Sequence, residues 1–241
     1  MASIEQGTDS SNYRTTQNGA RSNGQNQPLW DPSRSYATRH PSRIANPGAL
    51  GLFSFASTAL VLSFITVSTH GVHTPNIVVG MALFTGGLVQ LLAGMWEFPR
   101  GNVFGATFFA SYGAFWLSYA TIFIPSSNII GAYTTTTEFN HALGIYLITW
   151  FIFTFLLFIG ALRKNMAFIA LLGFWWLTFL LLAIGRFNGS VSPSLPFFWR
   201  TGGAFGIITA VIAYYCALSA LLVFEESYFM LPLGNTPKRY A

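Results

Sequence analysis

The side chains able to do chemistry in this chain are few, and most sit where water is scarce. Thr58, Ser63 and Thr66 fall in one apolar stretch and Thr85, Gln90 and Glu97 in the next; Ser111 and Tyr112, then His141 and Thr149, then Thr178, and last Thr209 and Ser219 occupy four more. None stands beside a base in the manner of an activated nucleophile, and no Gly-rich loop opens a helix to hold phosphate. His70 and His73 are too few for a metal centre, and the one cysteine, Cys216, excludes an internal disulfide framework and CxxC redox chemistry. No catalytic residue, metal or cofactor is expected. What remains is hydrogen bonding to a small solute, because polar groups at membrane depth face a bundle interior or a water-filled path. For each Ser or Thr taken singly, the competing assignment is a bond back to its own helix carbonyl. Gln90 has donors and an acceptor that need partners in hydrocarbon, so it reads equally as helix glue or as path lining. Glu97 reads first as an interfacial anchor paired with Arg100 and second as a proton-handling group, with His141 the other proton-handling candidate.

These groups are carried by a chain of 241 residues that is 52% hydrophobic and 8% charged. Soluble domains carry about 25% charged residues, so this composition belongs in a lipid bilayer. A hydrocarbon core of ~30 Å takes ~20 helical residues to cross, and six segments are long enough. They run over 48–68, 76–96, 103–123, 140–161, 166–185 and 201–223, with Gly, Pro and charge in the gaps between them. All must be helices, because runs this long and unalternating are not barrel strands. The fold class is an all-α integral membrane protein with six transmembrane helices.

Orientation follows from Lys and Arg. With the N-terminus inside, Arg14, Arg21, Arg34, Arg39, Arg43, Arg100, Arg163, Lys164, Lys238 and Arg239 are cytoplasmic, and only Arg186 and Arg200 are outside. Both termini are therefore predicted to be cytoplasmic. Residues 1–45 form a disordered leader poor in apolar side chains, with a regulatory arm as the alternative; 46–224 form the membrane domain; 225–241 form a C-terminal tail. The net charge of +5 lacks the basic, aromatic-interleaved run that nucleic-acid binding requires. The sequon Asn188-Gly189-Ser190 falls in an outside loop close to the membrane.

Small residues mark close helix approach, in a bundle or an oligomer. Gly80, Gly87 and Gly94 recur every seven residues, which puts them on one helix face, and Gly202, Gly206, Ala210, Ala213, Ala217 and Ala220 step along the last span. Asn46 is a good N-cap and Pro47 suits the first helical position. Such a helix start also offers free N–H groups and partial positive charge to a carboxylate.

The box Asn46-Pro47-Gly48-Ala49-Leu50-Gly51-Leu52 resembles the NPAPLGL signature of the acetate uptake transporter family, the GPR1/FUN34/YaaH or succinate–acetate permease group. The resemblance continues through Gly86-Gly87-Leu88-Val89-Gln90, Ala93-Gly94-Met95-Trp96-Glu97, Gly101 to Gly105, Ser111 to Leu117 and Leu182-Ala183-Ile184-Gly185, over roughly residues 44 to 232. The Ser/Thr-rich leader resembles the fungal branch. Ala49 stands where the signature has its second Pro.

That resemblance implies a multi-pass plasma-membrane protein, channel-like or proton-coupled, carrying acetate and related short monocarboxylates, with succinate as a further candidate. It also implies a homo-hexamer with a pore in each protomer. A Phe, a Tyr and a Leu narrow that pore in relatives; the matching positions are Phe55, Tyr112 and, departing from the pattern, Trp175. With Asn46, Thr58, Gln90 and Ser111 they make up the expected substrate pathway. Thr58 and Ser111, beside the two rings, are expected to receive the carboxylate while the rings hold the methyl end. A membrane sensor of acid or ammonia, with the leader as its output, is the competing function. An aquaporin-like channel is disfavoured because only one Asn-Pro box is present.

Overall fold

A computed structural model describes residues 44–188, 195–223 and 225–236. The leader through residue 43, Gly189 and Ser190 of the sequon, and the basic pair Lys238 and Arg239 lie outside the described residues. Six helical spans follow one another: α1 Gly48–Thr66, α2 Asn76–Glu97, α3 Val103–Phe123, α4 Thr136–Ala161, α5 Met166–Phe187 and α6 Leu195–Leu221. The described residues contain no strand, only an isolated bridge between Asn165 and Asn235. Five of the helices are individually long and apolar enough to span a membrane. The exception, α3, qualifies only together with the short segment Pro125–Ala132, bent away by 82°. Its apolarity is diluted by Thr107, Ser111, Tyr112, Ser118 and Tyr119, and much of it faces the other helices.

Two helices start earlier than the hydropathy pattern predicts. Helix α4 begins at Thr136 because the Thr135 side chain accepts the Glu138 N–H at 3.1 Å, while the Glu138 carboxylate accepts from the Thr134 hydroxyl at 3.0 Å. Helix α6 is already helical at Leu195; Pro196 sits in its first turn, where a missing N–H is not needed by the helix. Asn102 and Asn165 cap α3 and α5, accepting from Gly105 N–H at 3.2 Å and Phe168 N–H at 2.8 Å.

Helix α2 contains a π segment over Phe84–Val89. The wide turn takes up an extra residue, which rotates everything before it by about 100° relative to an unbroken α-helix. The expected Gly80-Gly87-Gly94 face is broken for that reason. Gly80 is exposed with open space around it, whereas Gly87 lies against Leu117 and Gly94 against Ala110. Val78 and Ala82 fill the interior positions on the near side of the π segment, and Gln90, Ala93, Gly94 and Glu97 fill them on the far side.

Around the bundle, α3 packs on α2, α2 on α1, α1 on α6, α6 on α5 and α5 on α4. Side chains close the ring between α3 and α4: Tyr112 meets Thr154, Ser118 meets the Tyr146 hydroxyl at 2.8 Å, and the Phe115 and Trp150 ring centroids lie 4.9 Å apart. The small-residue stripe of α6 is used within this bundle. Ala210, Ala213 and Ala217 are buried, Gly203 lies against Thr66 and Gly206 against Ser63. Beyond α6 the chain returns to the start of α5, where Gly234 and Leu233 carbonyls accept the Met166 and Ala167 N–H groups at 2.9 and 3.1 Å. Those donors have no partner inside α5, so the segment Leu231–Thr236 completes that helix rather than trailing from the bundle.

Candidate functional site

Three aromatic rings from three helices meet in the interior. Phe55 of α1 lies 5.6 Å from Tyr112 of α3 and 5.1 Å from Trp175 of α5, and Tyr112 and Trp175 are 6.4 Å apart, centroid to centroid. Phe108, one turn before Tyr112, adds a fourth ring 4.9 Å from Tyr112 and 5.7 Å from Phe55. At these separations the rings touch, and all four are buried. Local sequence explains the approach of α1 to α3: Gly51 lies flat against Phe109, and a Cβ there would come within 2.6 Å of the ring.

The Tyr112 hydroxyl lies 2.7 Å from Thr154 Oγ1, which itself donates to the Trp150 carbonyl at 2.6 Å. Thr154 has one proton, already committed, so the phenol donates to Thr154. Trp175 Nε1 is buried and faces the Tyr112 hydroxyl.

A cavity lies on either side of these rings. The wider, about 540 Å³, is lined by Ser68, His73, Tyr119, Asn140, Arg186 and Trp199 among others. A small extension of about 30 Å³ carries its lining from Arg186 inward to Thr178 and Trp175. The cavity at the opposite end, about 190 Å³, is lined by Asn46, Glu97, Asn102, Lys164 and Asn165 with Phe104, Phe108 and Phe168.

The polar groups of the smaller cavity form a network that ties three helix ends together. Asn46 Oδ1 accepts from Gly48 N–H at 3.1 Å and from Arg100 Nη1 at 2.7 Å. Pro47 already has helical angles, φ −76° and ψ −11°, so Asn46 caps α1 as its sequence implies. Arg100 also pairs with Glu97 Oε2 at 3.4 Å, and Asn102 Nδ2 donates to the same oxygen at 3.0 Å. Glu97 is thereby an anchor of Arg100 and Asn102 at the end of α2. Lys164 lies 4.4 Å above the Phe104 ring on the facing wall.

The structure thus brings Phe55, Tyr112 and Trp175 together and sets Asn46 and Glu97 at one mouth. Thr58 is placed differently: its hydroxyl donates to the Ser54 carbonyl at 3.0 Å and its side chain lies against Gly86 of the π segment. Ser111 is half-buried, and the Tyr112 hydroxyl is engaged by Thr154 instead. Gln90 is fully buried with both amide atoms lacking a protein partner, and it lines neither cavity. His141 is exposed beside Phe187, its ring 6.3 Å away, and it too lines neither cavity. Sequence reasoning missed Thr154, Asn140 and Arg186. Thr154 sits in an unmarked aromatic run, whereas a lone Arg closing the apolar run of α5 was a usable signal.

A closed ring of six apolar helices, with a buried aromatic cluster between two cavities of mixed apolar and polar lining, defines a multi-pass membrane protein of the transporter or channel class. The chain belongs to the GPR1/FUN34/yaaH family, whose model matches residues 30–238. It is 46% identical over 192 residues to the meiotically up-regulated gene 86 protein of Schizosaccharomyces pombe, covering 80% of this chain and 63% of that one. The chain therefore spans less than two thirds of that relative's length. It is 40% identical over 209 residues to acetate permease A of Emericella nidulans, covering 84% of this chain and 70% of the relative. A solved structure, that of the bacterial acetate channel SatP, superposes with a TM-score of 0.69 at 31% identity, covering 80% of this chain and all of the other.

Proposed function

We propose that the chain conducts acetate and related short monocarboxylates across the plasma membrane as a transport protein without enzymatic activity. The path runs from the Arg186 cavity past Phe55, Tyr112 and Trp175 to the Asn46 cavity. The observation that carries this reading is the meeting of three rings from three helices between two cavities that mix apolar walls with polar groups. Rings in contact leave no standing opening, so passage requires them to turn aside and favours a small solute with an apolar end. Once the rings turn aside, a single carboxylate can be met by the Trp175 N–H, whereas a second charge would be stripped of water at much greater cost. The two candidate proton carriers lie away from the rings, with Glu97 paired to Arg100 and His141 outside both cavities. That supports channel-like flow over a proton relay. Purified protein in proteoliposomes is expected to admit labelled acetate well above protein-free vesicles; flux equal to the protein-free control overturns the proposal.

The same reading places the Asn46 cavity and both termini in the cytoplasm. Ten basic residues against two support it, and one of the two exceptions, Arg186, is half-buried in a cavity wall. Epitope tags at either end are expected to bind antibody only after the cells are permeabilised. A tag that reads out on intact cells reverses the orientation. The leader and residues 225–241 then lie on the cytoplasmic side of the membrane domain. Assembly as a homo-hexamer and acceptance of succinate belong to the same proposal; the broad apolar face of α4, with Ile145, Ile152, Leu156 and Ile159 exposed, offers area for lipid or for neighbouring copies.

A further inference from the structure

Arg186 occupies the last turn of α5 with its guanidinium carbon 4.2 Å over the Trp199 ring. Its Nη1 donates to Asn140 Oδ1 at 2.9 Å, which fixes the plane of the group between α4 and α6. Its Nε is buried and has no protein partner. The Glu97–Arg100 pair lies at the other end of the bundle, and among the described residues no carboxylate is paired with this guanidinium. The side chain is half-buried, but its Nε is shielded from water, and of the five donors of the guanidinium Asn140 takes one. The cavity it lines, about 540 Å³, has the size of small-molecule sites, about 300–1,000 Å³.

We infer that Arg186, oriented by Asn140 and Trp199, is an anion-binding site at the wide mouth whose ligand is a small carboxylate. The ligand supplies the charge that the protein does not, and binds before reaching the aromatic rings. Its role in transport rests on the function proposed above, whereas its occupancy does not. The fork of the guanidinium suits a carboxylate better than a spherical ion, because two parallel N–H donors can meet two oxygens. A helix C-terminus also favours a nearby cation, and that alone would explain the residue type without any ligand.

Equilibrium binding of labelled acetate to the purified full-length protein in detergent separates the two. Arg186→Gln is expected to weaken acetate binding fivefold or more, and excess acetamide, the neutral isostere, is expected not to displace it. A smaller loss, or displacement by acetamide as effective as by acetate, overturns the site. Should Arg186→Gln fail to fold, the wild-type protein can be treated with phenylglyoxal and mapped by peptide mass spectrometry. Acetate is expected to slow modification at Arg186 where acetamide does not; equal rates overturn the inference. A wild-type protein that binds acetate through Arg186 yet gives no flux in proteoliposomes leaves the site standing and removes the transport proposal.

Discussion

Alanine at Phe55 or Tyr112 is expected to raise the ratio of succinate to acetate uptake about tenfold, equivalent to about 1.4 kcal/mol in relative barrier. Either change removes one corner of a triangle whose ring centroids stand 5.1 to 6.4 Å apart. The remaining gap admits water alongside the solute, which relieves the dehydration that excludes a dianion. Truncating a buried aromatic also costs about 3–5 kcal/mol of stability, so flux is compared per unit of folded protein. Tyr112→Phe isolates the hydroxyl. Thr154 keeps its bond to the Trp150 carbonyl, so this variant should lose about 1 kcal/mol at most and keep the wild-type ratio. The competing account is that these rings only pack helices together, the commoner fate of aromatics in a chain that is 17% Phe, Trp and Tyr. Well-expressed Ala variants with an unchanged succinate-to-acetate ratio would establish that account.

Arg100→Ala is expected to be the more damaging half of the Glu97–Arg100 pair. The Glu97 side chain is 2% exposed and that of Arg100 26%, so the two deletions leave unlike residues behind. Without Arg100, a buried carboxylate keeps Asn102 as its remaining side-chain donor, and breaking a buried pair in this way costs about 3–5 kcal/mol. Without Glu97, Arg100 can turn toward water and still reach Asn46, so Glu97→Ala should cost less, about 1–3 kcal/mol. The double variant Glu97→Gln with Arg100→Ala should recover part of the Arg100→Ala loss, because the stranded charge is gone. Thermal retention of monodisperse protein in detergent reads all of these. Equal losses for the two single variants would show that Glu97 does not depend on Arg100, contrary to the anchor described.

The spans were legible because hydropathy over twenty residues is a strong signal, and α1 to α3 begin within a residue of where Gly, Pro and Asn place them. Helix starts set by hydrogen bonds rather than by apolarity were not. Thr135 begins α4 through a side-chain cap inside a polar run, and α6 passes Pro196 because a first turn tolerates proline. Phe55, Tyr112 and Trp175 came from resemblance to a family, since composition cannot separate one aromatic from the next in such a chain. Their placement together depends on three helices crossing, which no local pattern encodes. Thr154 is not legible for a related reason: sequence neighbours of a ring need not be its neighbours in space, and a residue 42 positions away holds the Tyr112 hydroxyl. Arg186 stands in the sequence as one exception in a count of charges, although a lone cation ending an apolar helix poses the question of its counter-ion.

The π segment of α2 also bears on how this chain can change length. Loops accept a lost or gained residue readily, and helix ends often do. Between Phe84 and Val89 a single deletion would restore ordinary α-helical winding and turn one half of α2 by about 100° against the other. Either Val78 and Ala82 would leave the interior, or Gln90, Gly94 and Glu97 would, and with Glu97 would go the junction of three helix ends. Substitution here is a local matter of fit against Thr58 and Leu117. Insertion or deletion is a global one, so an alignment of functional relatives should run through these six residues without a gap even where their identities drift.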